Sequence, residues 1–512
     1  MAWSQEFVEA LRKPARPIFR LENLSVTTLD NGWSLSSHTV GAAAVDTDEV
    51  MTQEGTSFSS AELTLRTWAS SVGTFSVGFT GFGWKLIPRM TRGQWVALKV
   101  GFIGWEYDQF QTVCLGTLWN VRGHSNEWVI ECRDALSGLV HRQDGGSSDG
   151  RPAPSGLFTL FSTVTASTST TVNYVAGAGT VTVTSTTGFE RQDDGSGTLR
   201  GAIRLTNGAT TCILAWTSKT GTVFTVPAAV LGTTDTTMGG AATVTEVAYL
   251  DDHPIDAAIR LLVGDGPECY LPSAWNLNIP DALIDRVDAA RFKDLSSAAS
   301  GLNQHAWGWE AEETDPATVL SDVLAPGGFF LTVRQGQITV RCVVDPNLST
   351  VPYISTLDDA DILEIEDFEA FDSSLQTEYE SFRVVDGAGG GTTLTEDVGS
   401  FPVEFRNTTT IAAYTNGTAQ RAAVLARLAP WSLRVPERLV IRCAMRCAQF
   451  APGDVVLIST RRIVGRTELT STGYSGRRAM VTAVAPDWFG WTCTITLAVL
   501  PSFSESTIGS GS

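Results

Sequence analysis

Between residues 15 and 135, short alternating stretches follow one another with no helical pattern between them: ELTLRTW, GTFSVGF, QWVALKVGFIG, TVCLGTLWNV and EWVIECRD. They are rich in β-branched and aromatic residues and are broken by glycine and asparagine. Nothing else in the chain constrains its fold as strongly. Strands that succeed one another without crossover helices pair antiparallel, since a parallel pair needs a connection of a dozen or more residues. Turns about every ten residues predict a small barrel or a sandwich.

A second β-rich stretch, GTVTVTSTTGFERQDDGSGTLRGAIRLTNGATTCILAWTSKTGTVFTV, runs from Gly179 to Val226. It is Thr, Gly, Val and Ser in short alternating runs and carries almost no group that does chemistry. It reads as a compact β unit ending near Val247, set off by the boundary DGGSSDGRPAPSG at 143–155. The chain then changes character. HPIDAAIRLLVGDG has Ile255, Ile259, Leu262 and Val263 at helical spacing, closed by Gly264. A second helix is predicted to start at Pro280, with Leu283, Ile284, Val287 and Phe292 on it. A third spans Ala317 to Leu324 and stops at Pro326-Gly327-Gly328, before a hairpin. Near the end, TAQRAAVLARLAP predicts a helix from Ala419 to Leu428, followed by further strands to about residue 502. The N-terminus places Trp3, Phe7, Val8 and Leu11 on a short amphipathic helix stopped by Pro14.

At 512 residues, several domains are expected. The fold class predicted is α+β, mostly β. Two β-barrel domains flank a helical linker region, and a small β domain is inserted. The expected boundaries are 1–155 for the N-terminal barrel, 156–248 for the insertion, 249–400 for the helix-containing α+β linker and 401–512 for the C-terminal barrel. A formal charge of −19 argues against gripping nucleic acid by its phosphates, which needs stripes of Lys and Arg. Neither a secretory signal nor an apolar run of about 20 residues is visible, so synthesis and folding in the cytosol are expected.

The chemistry-bearing residues form no recognisable catalytic pattern. No GxSxG, HExxH or phosphate-binding loop occurs, and the Gly387–Gly391 run has neither a lysine nor a helix start after it. Asp134 and His141 read as an acid/base pair or as a turn carboxylate and a surface imidazole. Cys443 and Cys447, the one close pair among eight cysteines, read as half of a metal or iron–sulfur site or as two buried small side chains. The turn Asp193-Asp194-Gly195-Ser196-Gly197 has too few ligands for an EF-hand loop. The run LDDADILEIEDFEAF holds Asp358, Asp359, Asp361, Glu364, Glu366, Asp367 and Glu369 between Ile362, Leu363, Ile365 and Phe368. That alternation describes a solvated face rather than a carboxylate pair for glycoside hydrolysis. Trp216, Phe189 and Phe224 are the aromatics available for sugar stacking in the inserted unit, and core roles would use all three. No catalytic, cofactor-binding or metal-ligating residue is assigned, and no cofactor is expected.

Several segments recur in an order that carries a resemblance. Gly93 opens a strand with Val96 and Leu98, Gly116 sits inside the next with Leu118, and Ile130, Cys132 and Asp134 close the series. VTVTSTTGF, GAIRLTNG, TSKTGTVFTV and AATVTEV follow, and then DPATVLSDVLAPGGFF. FAPGDVVLI and VTAVAPDW come last. In this order the chain resembles the hub proteins of phage baseplates and tail tips and of secretion-type spikes, over nearly its whole length. It departs from that pattern by the acidic turn ERQDDGSG.

The resemblance implies a non-enzymatic virion protein, assembled in the host cytoplasm. It implies a trimer whose paired barrels make a pseudo-sixfold ring around a DNA exit channel, joining a sixfold tail to a threefold tip. Distal tail and tail-tip or central fibre proteins would be its partners. DNA would be in transit only, without stable binding. The inserted domain would project outward, with host-surface contact as a further role. A carbohydrate-binding adhesin at the tail tip is the alternative.

Overall fold

The computed structural model describes residues 3–13, 17–24, 34–36, 50–59, 63–64, 69–70, 74–80, 87–124, 127–134, 136, 166–189, 192–193, 199–208, 210–226, 236–263, 279, 281–297, 305–309, 316–370, 381–386, 394–397, 408–413, 427–431, 436–463 and 473–500.

A closed barrel forms from β1 (Pro17–Asn23), β2 (Ser34–Ser36), β3 (Val50–Ser59), β4 (Thr74–Thr80), β5 (Trp95–Phe102), β6 (Gln111–His124) and β7 (Glu127–Asp134). The order around it is β1-β2-β3-β4-β7-β6-β5, and β5 pairs back onto β1. All pairings are antiparallel except β2 with β3. Alternation puts Val96, Leu98 and Val100 of β5 inward, fully buried, together with Phe75, Val77 and Phe79 of β4. Gly116 is the residue that lets β6 coil. A Cβ there would lie 2.1 Å from the Arg133 carbonyl oxygen, so only glycine fits where the strands press together.

The inserted unit is built on β8 (Ser167–Ser169), β9 (Gln192–Asp193), β10 (Leu199–Asn207), β11 (Thr210–Trp216) and β12 (Thr243–Asp252). β12 lies between β8 and β10, while β11 forms a hairpin with β10. Its core is its own, centred on Trp216, Phe224, Leu205 and Leu214. β12 then runs on out of the unit and pairs through Ala248–Asp252 with β13 (His305–Trp309).

Beyond it come α1 (Gln5–Ala10) at the chain start, α2 (Pro254–Val263), α3 (Arg286–Ser297) and α4 (Pro316–Leu324), with the hairpin β14 (Phe329–Arg334) and β15 (Gln337–Cys342). Ser4 caps α1 by accepting the Phe7 N–H. α2 and α4 lie where the sequence predicts them, and α4 runs into a 3₁₀ turn at Ala325–Gly327 that ends at Gly328, whose φ is 67°. The second helix starts later than expected. Asp281–Leu283 is a 3₁₀ turn, and α3 begins after Asp285, whose carboxylate accepts the Asp288 N–H. A capping carboxylate outweighs the proline signal there. Val287 is consequently 83% exposed rather than on the packed face. Pro280 lies outside the described residues, as does most of the predicted 419–428 helix, of which residues 427–431 are described and helical.

The C-terminal sheet runs β16-β19-β20-β21-β18-β17. Its strands are β16 (Ser355–Leu357), β17 (Ile362–Glu369), β18 (Glu437–Ala444), β19 (Val455–Thr460), β20 (Tyr474–Asp487) and β21 (Thr492–Val499). Its two edge strands, β16 and β17, are consecutive in sequence. Flat, six strands would hold their edges about 24 Å apart. The turn at 358–361 spans at most about 18 Å, and it is tight: the Ile362 N–H donates to the Asp358 carbonyl at 3.0 Å. The sheet therefore curls, bringing the end of β16 close to the start of β17. The architecture is mostly-β α+β, as the sequence predicts.

Candidate functional site

The barrel and the C-terminal sheet join through shared packing. One hydrophobic core runs without a break from α1 through the N-terminal barrel into the C-terminal sheet. The turn between β20 and β21 makes the connection. Asp487 shapes it, its carboxylate accepting the N–H groups of Phe489 at 3.1 Å and Gly490 at 2.9 Å. The turn thereby aims three aromatics at the barrel. Trp488 meets Phe7 and Trp3, each at 6.4 Å between ring centroids. Phe489 meets Phe19 at 5.1 Å, and Trp491 meets Phe102 at 5.9 Å. Trp3 also donates its indole N–H to the Thr112 carbonyl at 2.8 Å and its backbone N–H to Gln335 Oε1 at 2.7 Å. Gln335 and Gly336 form the left-handed turn of the β14–β15 hairpin, with φ of 50° and 75°. The N-terminal segment thus ties the barrel, the hairpin and the C-terminal sheet together.

A buried ionic cluster holds the helical region onto this frame. Arg341 of β15 is fully buried, and its fork spans both oxygens of Asp288 at 2.7 and 3.1 Å. It also donates to the Pro452 carbonyl at 2.7 Å and forms an ion pair with Asp454 at 3.3 Å. Thr339 donates to Asp288, and Arg334 pairs with Asp285 and Asp288. Desolvation alone would raise the Asp288 carboxyl, but the charge and hydrogen bonds of Arg341, with Arg334 and Thr339, hold it below its ordinary range. Asp454 caps the Pro452-Gly453 turn, its carboxylate accepting the Ala451 N–H at 2.9 Å.

The carboxylates from Asp358 to Glu369 lie on β17 and the turn before it. Asp361 is paired with Arg446, Glu364 with Arg442, Asp367 and Glu369 with Arg438, and Asp359 with Arg462. Glu364, Glu366 and Asp367 face solvent, so the run is a solvated face, with an arginine set opposite it that the sequence order conceals. The pairing draws residues 69 to 103 positions apart onto neighbouring strands and turns, beyond any local pattern.

Cys443 and Cys447 are both fully buried, and Cys443 stands directly opposite the buried Cys493 across β18 and β21. The neighbouring thiol and burial push Cys443 far up. A thiol so raised stays protonated at neutral pH, as a small buried side chain. Among the described residues no group of three or more His, Cys, Asp or Glu is arranged to hold a metal ion. Trp216, Phe189 and Phe224 are all core residues of the inserted unit, which leaves none of them as a platform for a sugar ring. Asp193 lies in β9, whereas Asp194 to Gly197, His141 and the Gly387–Gly391 run lie outside the described residues. The structure also brings together what the sequence did not single out, a stack of Arg92, Trp119 and Arg133 on the outside of the barrel.

No family model matches the sequence, and no curated protein matches it. Solved structures do. A tail protein from Neisseria meningitidis is 11% identical, with 96% of this chain and 98% of that one covered and a TM-score of 0.38. A 43 kDa tail protein of prophage MuSo2 from Shewanella oneidensis is 10% identical, covering 89% and 98% at a TM-score of 0.35. An Escherichia coli component of the type VI secretion system is 9% identical, covering 89% and 77% at 0.33.

Proposed function

We propose that this chain is a structural hub of a phage baseplate or tail tip, without catalytic activity. The observation that carries the reading is the fusion of two β modules, a closed barrel and a curled six-stranded sheet, through one continuous core. A chain that locks two such modules side by side can repeat them around an axis, so that three copies present six modules. Closed symmetry of that kind joins a sixfold tail above to a threefold tip below around a channel for the genome. Distal tail and tail-tip proteins are the neighbours this arrangement calls for. The inserted unit, with its separate core, would project from the ring toward the host surface. The net charge of −19 per chain suits a conduit that does not retain DNA. The arginines facing the Asp358–Glu369 run make that face less negative than its sequence suggests. The adhesin alternative is less favoured, since Trp216, Phe189 and Phe224 of the inserted unit are spent on its core.

Electron microscopy of assembled particles tests the reading. Three copies in a ring at the tail end are expected. A single copy, or copies stacked along the tail tube, overturns it.

A further inference from the structure

The Arg92, Trp119 and Arg133 stack has no role in holding the barrel core. Trp119 sits where β6 bulges against β7, between Leu118 and Asn120. The guanidinium carbon of Arg92 lies 3.6 Å from the centroid of its ring and that of Arg133 lies 3.3 Å away. Two guanidinium groups that close to one indole cannot share a face without overlapping each other, so the ring is sandwiched between them. Arg92 is exposed, whereas Trp119 and Arg133 are half-buried. Among the described residues neither arginine forms an ion pair. The nearby carboxylate of Glu131 is already taken, by Arg122 at 2.7 Å and by Asn120 at 3.2 Å.

A guanidinium stacked through its face keeps its in-plane N–H donors free. The stack therefore presents two parallel forks about 7 Å apart, each able to take a carboxylate by two hydrogen bonds. That spacing is about two residue rises of an extended strand, at about 3.3 Å each. Carboxylates on alternate residues of a strand match it. Trp and Arg are also the residue types that anchor protein interfaces. We propose that Arg92, Trp119 and Arg133 form a docking site for an extended acidic segment of a partner protein, gripping two carboxylates on alternate residues. Holding two like charges on one ring is itself costly. Desolvation and then the charge of Arg92 lower the Arg133 pKa, and an incoming pair of carboxylates relieves that repulsion. Nucleic acid phosphates offer the same charge, but a chain of net −19 repels a polyanion beyond this one spot. The site stands independently of the hub reading.

The test is calorimetric titration of the full chain with an acetylated nonapeptide alternating Glu and Thr. Controls are the same peptide with Gln for Glu, a peptide of identical composition with its Glu residues contiguous, and a single-stranded DNA oligonucleotide. The alternating peptide is expected to bind tightest, with Arg92→Gln and Arg133→Gln each weakening it about fivefold and the double variant abolishing it. Arg133→Lys keeps the charge without the fork and is expected to lose the preference for alternating over contiguous Glu. Unchanged melting of the variants shows that the barrel is intact. The proposal is overturned if the alternating peptide does not bind, if the double variant binds it as well as the parent, or if the oligonucleotide binds more tightly through the same residues.

Discussion

Arg341 Nε lies 2.7 Å from Asp288 Oδ2, with both side chains buried. The pair joins β15 to α3, and through Asp454 it reaches the turn that leads into β19 of the C-terminal sheet. A buried pair contributes little net stability over an apolar substitute, but breaking one side leaves an uncompensated buried charge. Asp288→Asn or Arg341→Met alone should therefore destabilise the chain by about 3–5 kcal/mol. Denaturant unfolding measures this, and single variants as stable as the parent would show that water reaches the cluster.

The same cluster sets an acid limit. The Asp288 pKa is depressed in the folded chain, so its contribution is complete above the unfolded carboxyl value of about 3.9. It is lost as pH falls through the folded value. Thermal stability should fall below about pH 4, less steeply in Asp288→Asn than in the parent. Identical acid profiles for the two would remove Asp288 from the account.

Trp488 is 1% exposed and packs against both Phe7 and Trp3. Trp488→Ala should cost about 3–5 kcal/mol, and so should Phe7→Ala. The two residues touch, so their costs should not add: the double variant should lose less than the two single losses combined. A double-mutant cycle with strict additivity would deny that the α1 helix and the β20–β21 turn share one core.

The inserted unit has a separate core, while β12 carries the chain back into pairing with β13. Removing residues 160–245 with a short Gly/Ser bridge spares Ala248–Asp252. The remainder is expected to melt cooperatively, because surface insertions are tolerated thermodynamically. A broad, non-cooperative transition would show that the insertion is part of the main frame.

Burial pushes the Cys342 thiol up to about 11, and Cys132 and Cys493 are also raised. At pH 8 a thiol reagent should modify Cys114, which is half-buried, well before Cys132, Cys212, Cys342, Cys443, Cys447 or Cys493. Mass mapping of the labelled chain reads the order. Fast labelling of Cys443 or Cys447 would mean that the C-terminal sheet opens.

Alternation and punctuation were enough to read β5, β6, β7, α2 and α4 from the sequence, because each depends on neighbours within a few positions. The burial of Trp216, Phe189 and Phe224 was legible because a unit otherwise built of Thr, Gly, Val and Ser needs its large aromatics for a core. The start of α3 was not: the sequence points to Pro280, whereas the helix that forms is capped by the Asp285 carboxylate. The rest belongs to distance along the chain. Arg341 meets Asp288 across 53 positions and Asp454 from another domain, and Arg438, Arg442 and Arg446 face carboxylates more than 70 positions away. Trp3 and Trp488 meet from opposite ends of the sequence. Local periodicity records which face of a strand is apolar but not which strand will lie beside it. That choice is made by barrel closure and by burying one common core, so the joining of the two β modules and the Arg92–Trp119–Arg133 stack were decided only by the tertiary structure.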